Sequence, residues 1–140
     1  MTFVKLKRKP ALDTFLHEVL NSSLADVAKN DFSNSRPAAN IIQTPDALIL
    51  EMAIPGMTKQ DIDLKIEKDL LIVSANKESA DQRRFVTKQF DYNKFSRTFR
   101  LPKTIDQNNI EAAFKNGILT ITLNKKEEAK DKGPIAIKIK

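Results

Sequence analysis

Apolar and polar positions change rhythm along this chain, and the change divides it. Near the start, Leu12, Phe15, Leu16, Val19 and Leu20 have the i, i+3, i+4, i+7, i+8 spacing of one helix stripe. Leu24 and Val27 prolong the stripe, and Asp13-Thr14 are placed to cap it. The polar run over residues 30–37 ends that pattern and reads as a linker. From Ala39 the period becomes two. A short apolar run, Ala39–Gln43, precedes a Thr44-Pro45-Asp46 turn and a second strand, Ala47–Ala53. Ile54-Pro55-Gly56-Met57 then has Pro and Gly in the order that a type II turn requires. Ile62, Leu64 and Ile66 alternate with charged residues, and Lys68-Asp69 turns the chain into a strand over residues 70–75. Phe95, Arg97 and Phe99 share one parity until Pro102 stops their strand. Residues 103–109 read as a polar connector. Ile110, Ala112 and Phe114 then alternate up to Asn116-Gly117, a two-residue turn signal, and Leu119, Ile121 and Leu123 alternate after it.

Seven or so short strands separated by turns, with no βαβ alternation and no repeat, predict an all-β sandwich. The predicted organisation is an arm over residues 1–38, a sandwich over 39–125, and an extension over 126–140 that ends in alternating Ile135, Ile137 and Ile139. The arm's stripe must be covered by its own domain, by other subunits or by foreign chains, since a short amphipathic helix is marginal alone in water. The stretch over residues 78–93 is long for a loop inside a compact sandwich. Its middle, Arg83 to Thr87, has some strand character. It is either a surface loop or a strand that pairs with the edge of another molecule. Parity slips at Asn93-Lys94, as at a bulge. Arg97 lies on an apolar face and needs a partner, because an unpaired buried charge is costly. A carboxylate across a subunit contact would supply one; a snorkelling surface position would not need it.

Composition narrows the chemistry. The 140 residues include one His and no Cys, so there is neither a disulfide framework nor a thiolate nucleophile, and little with which to build a transition-metal site. His17 sits among the apolar arm residues and reads as a packing residue. No apolar run approaches the ~20 residues that span a bilayer. No secretory signal pattern follows the basic start, so the cytoplasm is expected. The net charge of +6 is unevenly spread: +2 over residues 1–40, +1 over 41–124 and +3 over 125–140. The sandwich is nearly neutral, and charged tails serve solubility without any polyanion partner. The three glycines fall in turns and the tail, leaving no phosphate-cradling loop.

Five pieces in order resemble the small heat-shock proteins with their α-crystallin domain: Ala53-Ile54-Pro55-Gly56, Asp61-Ile62, Phe95-x-Arg97-x-Phe99-x-Leu101-Pro102, Ala112-x-x-x-Asn116-Gly117-Ile118-Leu119, and a C-terminal Ile-x-Ile. The resemblance implies an immunoglobulin-like β-sandwich and an ATP-independent holdase chaperone, with no cofactor and no metal. It implies dimers in which the loop strand, with Phe85 and Val86, crosses to the partner's first strand, with Ala39 and Ile41, and it makes Arg97 a dimer-interface residue. It also implies that the terminal isoleucines dock in a neighbour's groove formed by Ile62, Leu64, Ile66, Ile110, Ala112 and Phe114. The expected partners are further copies of the chain and unfolded clients, with neither nucleic acid nor membrane. In one respect the chain departs from the family pattern: Ile135-Ala136-Ile137 and Ile137-Lys138-Ile139 both qualify as the tag.

Three rival readings differ in what they need. A co-chaperone adaptor on the same sandwich has no reason to keep a terminal isoleucine tag. An enzyme has only His17 in the arm and outward-facing acids such as Asp61 and Asp63 to work with. A basic-tail nucleic-acid binder would show salt-dependent association.

Overall fold

The structure is a computed structural model that describes residues 36–78, 82–89 and 93–140. The helical stripe from Leu12 to Leu20 lies outside the described residues. Seven strands follow in chain order: β1 (Ala39–Gln43), β2 (Ala47–Ala53), β3 (Ile62–Glu67), β4 (Leu70–Asn76), β5 (Lys94–Arg100), β6 (Ile105–Lys115) and β7 (Ile118–Lys125). They form two antiparallel sheets, β1-β2-β7-β6 and β3-β4-β5. The sandwich expected from the alternation is therefore present.

The alternation decides which face is dry. Leu48, Leu50 and Met52 of β2 and Leu119, Ile121 and Leu123 of β7 meet Leu71, Val73 and Ala75 of β4 and Phe95 and Phe99 of β5 in one core. Leu50, Met52, Ile121 and Leu123 are fully buried. Each such side chain contributes about 1.5–3 kcal/mol through loss of apolar contact with water.

Turn chemistry sets the register. Asn116 and Gly117 have φ of 52° and 76°, both positive, as the two-residue hairpin turn demands. Gly56 has φ of 78°, the left-handed value expected after Pro55. The Ile54 N–H donates to the Gly117 carbonyl at 2.7 Å, so the Pro55-Gly56 turn and the hairpin lock against each other.

One expectation fails. Residues 103–109 are not simply a connector, because β6 begins at Ile105, which is 2% exposed and pairs with Lys125. The register shifts between Ile105 and Ile110. There the Asn108 N–H donates to the Asp106 carboxylate at 3.0 Å, and the Asn124 amide donates to the Asn109 carbonyl at 3.1 Å. Polar side chains satisfy the backbone across the irregularity, so a sequence that reads as loop can remain within a strand.

Candidate functional site

The sheet orders leave four strands at edges: β6 and β3 along one side of the sandwich, β1 and β5 along the other. On the first side the strand period places Ile62 and Leu64 of β3 opposite Ala112 and Phe114 of β6. Together with Lys59, Ala113 and Leu119 these residues line a cavity of about 180 Å³. Ile62, Leu64 and Phe114 are half-buried, and Ala112 is exposed. Ile66 and Ile110 do not line the cavity. They lie one two-residue step further along their strands, Ile66 37% exposed and Ile110 packed against the core. Four of the six expected groove residues thus meet around one hollow, and two extend its line.

A short turn positions the start of β3. The Thr58 N–H and hydroxyl both donate to the Asp61 carboxylate, at 2.7 and 2.8 Å. These bonds hold the Asp61 pKa below its ordinary value, the backbone bond contributing most.

On the opposite side, Ala39 and Ile41 of β1 are half-buried against the core, and β1 bonds to β2 along one edge. Residues 82–89 form no strand within the chain. Phe85 is 46% exposed and Val86 fully so. The charges of Arg83 and Lys88 each lie 5.3 Å from the Phe85 ring centroid, within cation–π range.

Arg97 is not a snorkelling surface residue. It is 7% exposed, lying between buried Phe95 and Phe99. Its Nη1 donates to the Pro37 carbonyl at 2.7 Å, and its guanidinium lies 5.0 Å from the Phe99 ring centroid. It therefore ties β5 of one sheet to the chain just before β1 of the other.

The tail carries its apolar residues into solvent: Ile135, Ile137 and Ile139 are 81%, 87% and 98% exposed. The sequence reading missed what holds the tail's root. Lys125 is 9% exposed, and its ammonium donates to the carbonyls of Thr44 and Pro45 at 2.9 and 3.3 Å. The Lys126 N–H donates to the Thr104 carbonyl at 2.8 Å. The available signal was parity, since Lys125 continues the buried series of Leu119, Ile121 and Leu123. A larger hollow of about 380 Å³ lies at this root, bounded partly by residues 128–132 themselves.

Among the described residues no cluster of His, Cys, Asp or Glu is placed to hold a metal ion, and no helix is long and apolar enough to cross a membrane.

Comparison with known proteins agrees with this geometry. Residues 40–140 match the Hsp20/alpha crystallin family. The chain belongs to that family. This Hsp20 chain is 30% identical over 128 residues to small heat shock protein C4 of Rickettsia felis, covering 85% of this chain and 78% of that one. It is 32% identical over 109 residues to heat shock protein 16 of Schizosaccharomyces pombe, covering 73% and 75%. Among solved structures, heat shock protein 16.0 of S. pombe superimposes with a TM-score of 0.57 at 29% identity, over 75% of this chain and all of that one. A small heat-shock protein of Xylella fastidiosa, described as having a distinct high order structure, shares the fold. Its TM-score is 0.60 at 24% identity, over 76% of this chain and 98% of that one. Membership of the small heat-shock proteins implies a chaperone role.

Proposed function

We propose that this Hsp20 chain is a non-enzymatic, ATP-independent holdase. It assembles from pairs of subunits and shelters unfolding proteins on surfaces that its own segments otherwise cover. The observation that carries this reading is the pairing of an open apolar groove, Ile62-Leu64 against Ala112-Phe114, with three solvent-exposed isoleucines in the tail. In the pair, Phe85 and Val86 of one subunit cross to the Ala39–Ile41 edge of the other, and the Arg97 anchor at Pro37 keeps that edge in place. In the larger assembly, the tail of one pair enters the groove of the next.

The energetics favour reversible contacts. Burying two isoleucines contributes roughly 3–6 kcal/mol, while ordering about four tail residues costs roughly 4–8 kcal/mol. One tail is therefore weak, and many tails hold together through effective concentration. Warming releases them and exposes the groove, and with it the arm residues Leu12, Phe15, Leu16, Val19 and Leu20, to clients that display apolar segments.

Light scattering of a heat-aggregating client without ATP tests the reading. The full chain suppresses the rise, and a chain ending at Gly133 forms smaller particles. Failure to suppress at any ratio removes the holdase, and unchanged particle size removes the tail's part in assembly.

A further inference from the structure

Of the chain's asparagines, Asn116 alone is followed by glycine. The pair forms the tip of the β6–β7 hairpin, and Asn116 is exposed there. Strand pairing ends at Lys115 and Ile118, so the Gly117 N–H lies outside the ladder. Gly117 has no side chain to shield its nitrogen. The space beside it is open, since an added Cβ would come no closer than 3.6 Å to Pro55, its nearest neighbour across the fold. An exposed side-chain amide therefore sits next to an unshielded peptide nitrogen.

We propose that Asn116 is a site of covalent self-modification in the folded chain. The Gly117 nitrogen attacks Asn116 Cγ. The bond from Cγ to Nδ2 breaks, and ammonia leaves with the proton that the Gly117 nitrogen gives up. A five-membered cyclic imide remains. Water opening it at Cγ leaves aspartate; water adding at the main-chain carbon leaves isoaspartate, whose chain runs through Cβ and Cγ. Either route consumes one water and releases one ammonia, with no change of oxidation state. The reactive form is the deprotonated Gly117 nitrogen, so the rate rises with pH. The two products differ in consequence. Aspartate tolerates positive φ and keeps the turn. Isoaspartate adds a main-chain atom to a two-residue turn that already needs φ of 52° and 76°. It pulls the Gly117 carbonyl from the Ile54 N–H that donates to it at 2.7 Å. Phe114 and Leu119 pair just below the turn and both line the hollow of about 180 Å³. The isoaspartyl form thus loosens the Pro55-Gly56 turn and one wall of the groove together, whatever the groove binds.

The test incubates the full chain, folded, in warm and mildly alkaline buffer. Peptide mapping reads the one-dalton gain, and an isoaspartate-specific methyltransferase with a labelled methyl donor reads the isoaspartyl product. Asn21-Ser22 and Asn34-Ser35 serve as internal comparisons. The gain at Asn116 is expected to be several-fold faster than at either, with methyl label on the same peptide. Asn116→Gly, whose Gly-Gly pair suits the same turn, loses that label. Amide exchange at Ile54 quickens in the aged parent but not in freshly purified Asn116→Asp. If Asn116 changes no faster than Asn21 and Asn34, or only after the chain is unfolded in urea, the hairpin shields it and the proposal is wrong. Mass gain without methyl label would overturn the loosened turn and groove wall, since aspartate alone would then form.

Discussion

Arg97 ties β5 of one sheet to the chain just before β1 of the other. Its charge is taken out of water yet satisfied by the Pro37 carbonyl and the Phe99 ring. Removing it leaves a carbonyl stranded where β1 begins. Arg97→Ala is expected to lower unfolding free energy by about 1.5–3 kcal/mol, the range for a hydrogen bond to a charged group. Denaturant titration measures this, and Arg97→Lys recovers only part, since an ammonium lacks the planar stack. Asp61 makes a prediction with a definite sign. Its folded pKa lies below the ordinary 3.8, so the stabilisation it gives is complete above that value and drains away as pH falls through the lower, folded one. Asp61→Asn should therefore lower Tm at neutral pH and flatten the acid limb of the Tm–pH curve. Equal acid limbs for parent and variant would contradict this.

Elements were legible in the sequence wherever alternation and turn chemistry agreed. β1 and β2 were predicted to the residue, and the Asn116-Gly117 hairpin follows from two residues that tolerate positive φ. Gly117→Ala keeps the space around it, since a Cβ there would meet Pro55 Cα at an ordinary 3.6 Å. The cost is conformational, about 1–2 kcal/mol for a left-handed alanine, measured as a loss of unfolding free energy. Its amide-exchange signature should extend to Ile54, whose N–H donates to the Gly117 carbonyl. Where the sequence misled, polar side chains were performing backbone roles. Residues 103–109 look like a loop because Asp106, Asn108 and Asn109 are polar, yet Asp106 and Asn109 accept the hydrogen bonds that keep β6 continuous. Lys125 was unreadable for a related reason: a charge at a buried parity makes sense only when the carbonyls it meets, 80 and 81 residues away, are known. The two-residue period picked out the apolar faces of β3 and β6, and the family resemblance implied that those faces line one groove; four of the six residues do meet around the hollow. The register of the tail could not be read, because Ile135, Ile137 and Ile139 keep one period: Ile137-Lys138-Ile139 lies closer to the family's end, with Ile135-Ala136-Ile137 as an alternative register.

On the scale of the whole molecule, apolar surface is divided between opposite sides of the sandwich. The groove lies between the β3 and β6 edges, and the β1 edge lies on the far side. A protein arranged this way can join two different neighbours at once, so its assembly should grow and shrink with concentration. Dilution is expected to reduce particle size and, in step, raise the fluorescence of a dye that binds apolar surface. Size falling without any gain in dye signal would show that the released faces are not the apolar ones.

The anchoring of Lys125 and Lys126 turns the remaining tail into a tether of fixed length. Beyond Lys126 the chain makes a short 3₁₀ turn at Glu127–Ala129, and Lys130 pairs with Glu127 at 2.5 Å. From Lys130, seven residues reach Ile137, and a fully extended chain spans no more than about 3.6 Å for each. On the proposed docking, a neighbour's groove would open within roughly 25 Å of Lys130. On that reading, the spacing of subunits is limited less by how the isoleucines bind than by how far they can travel.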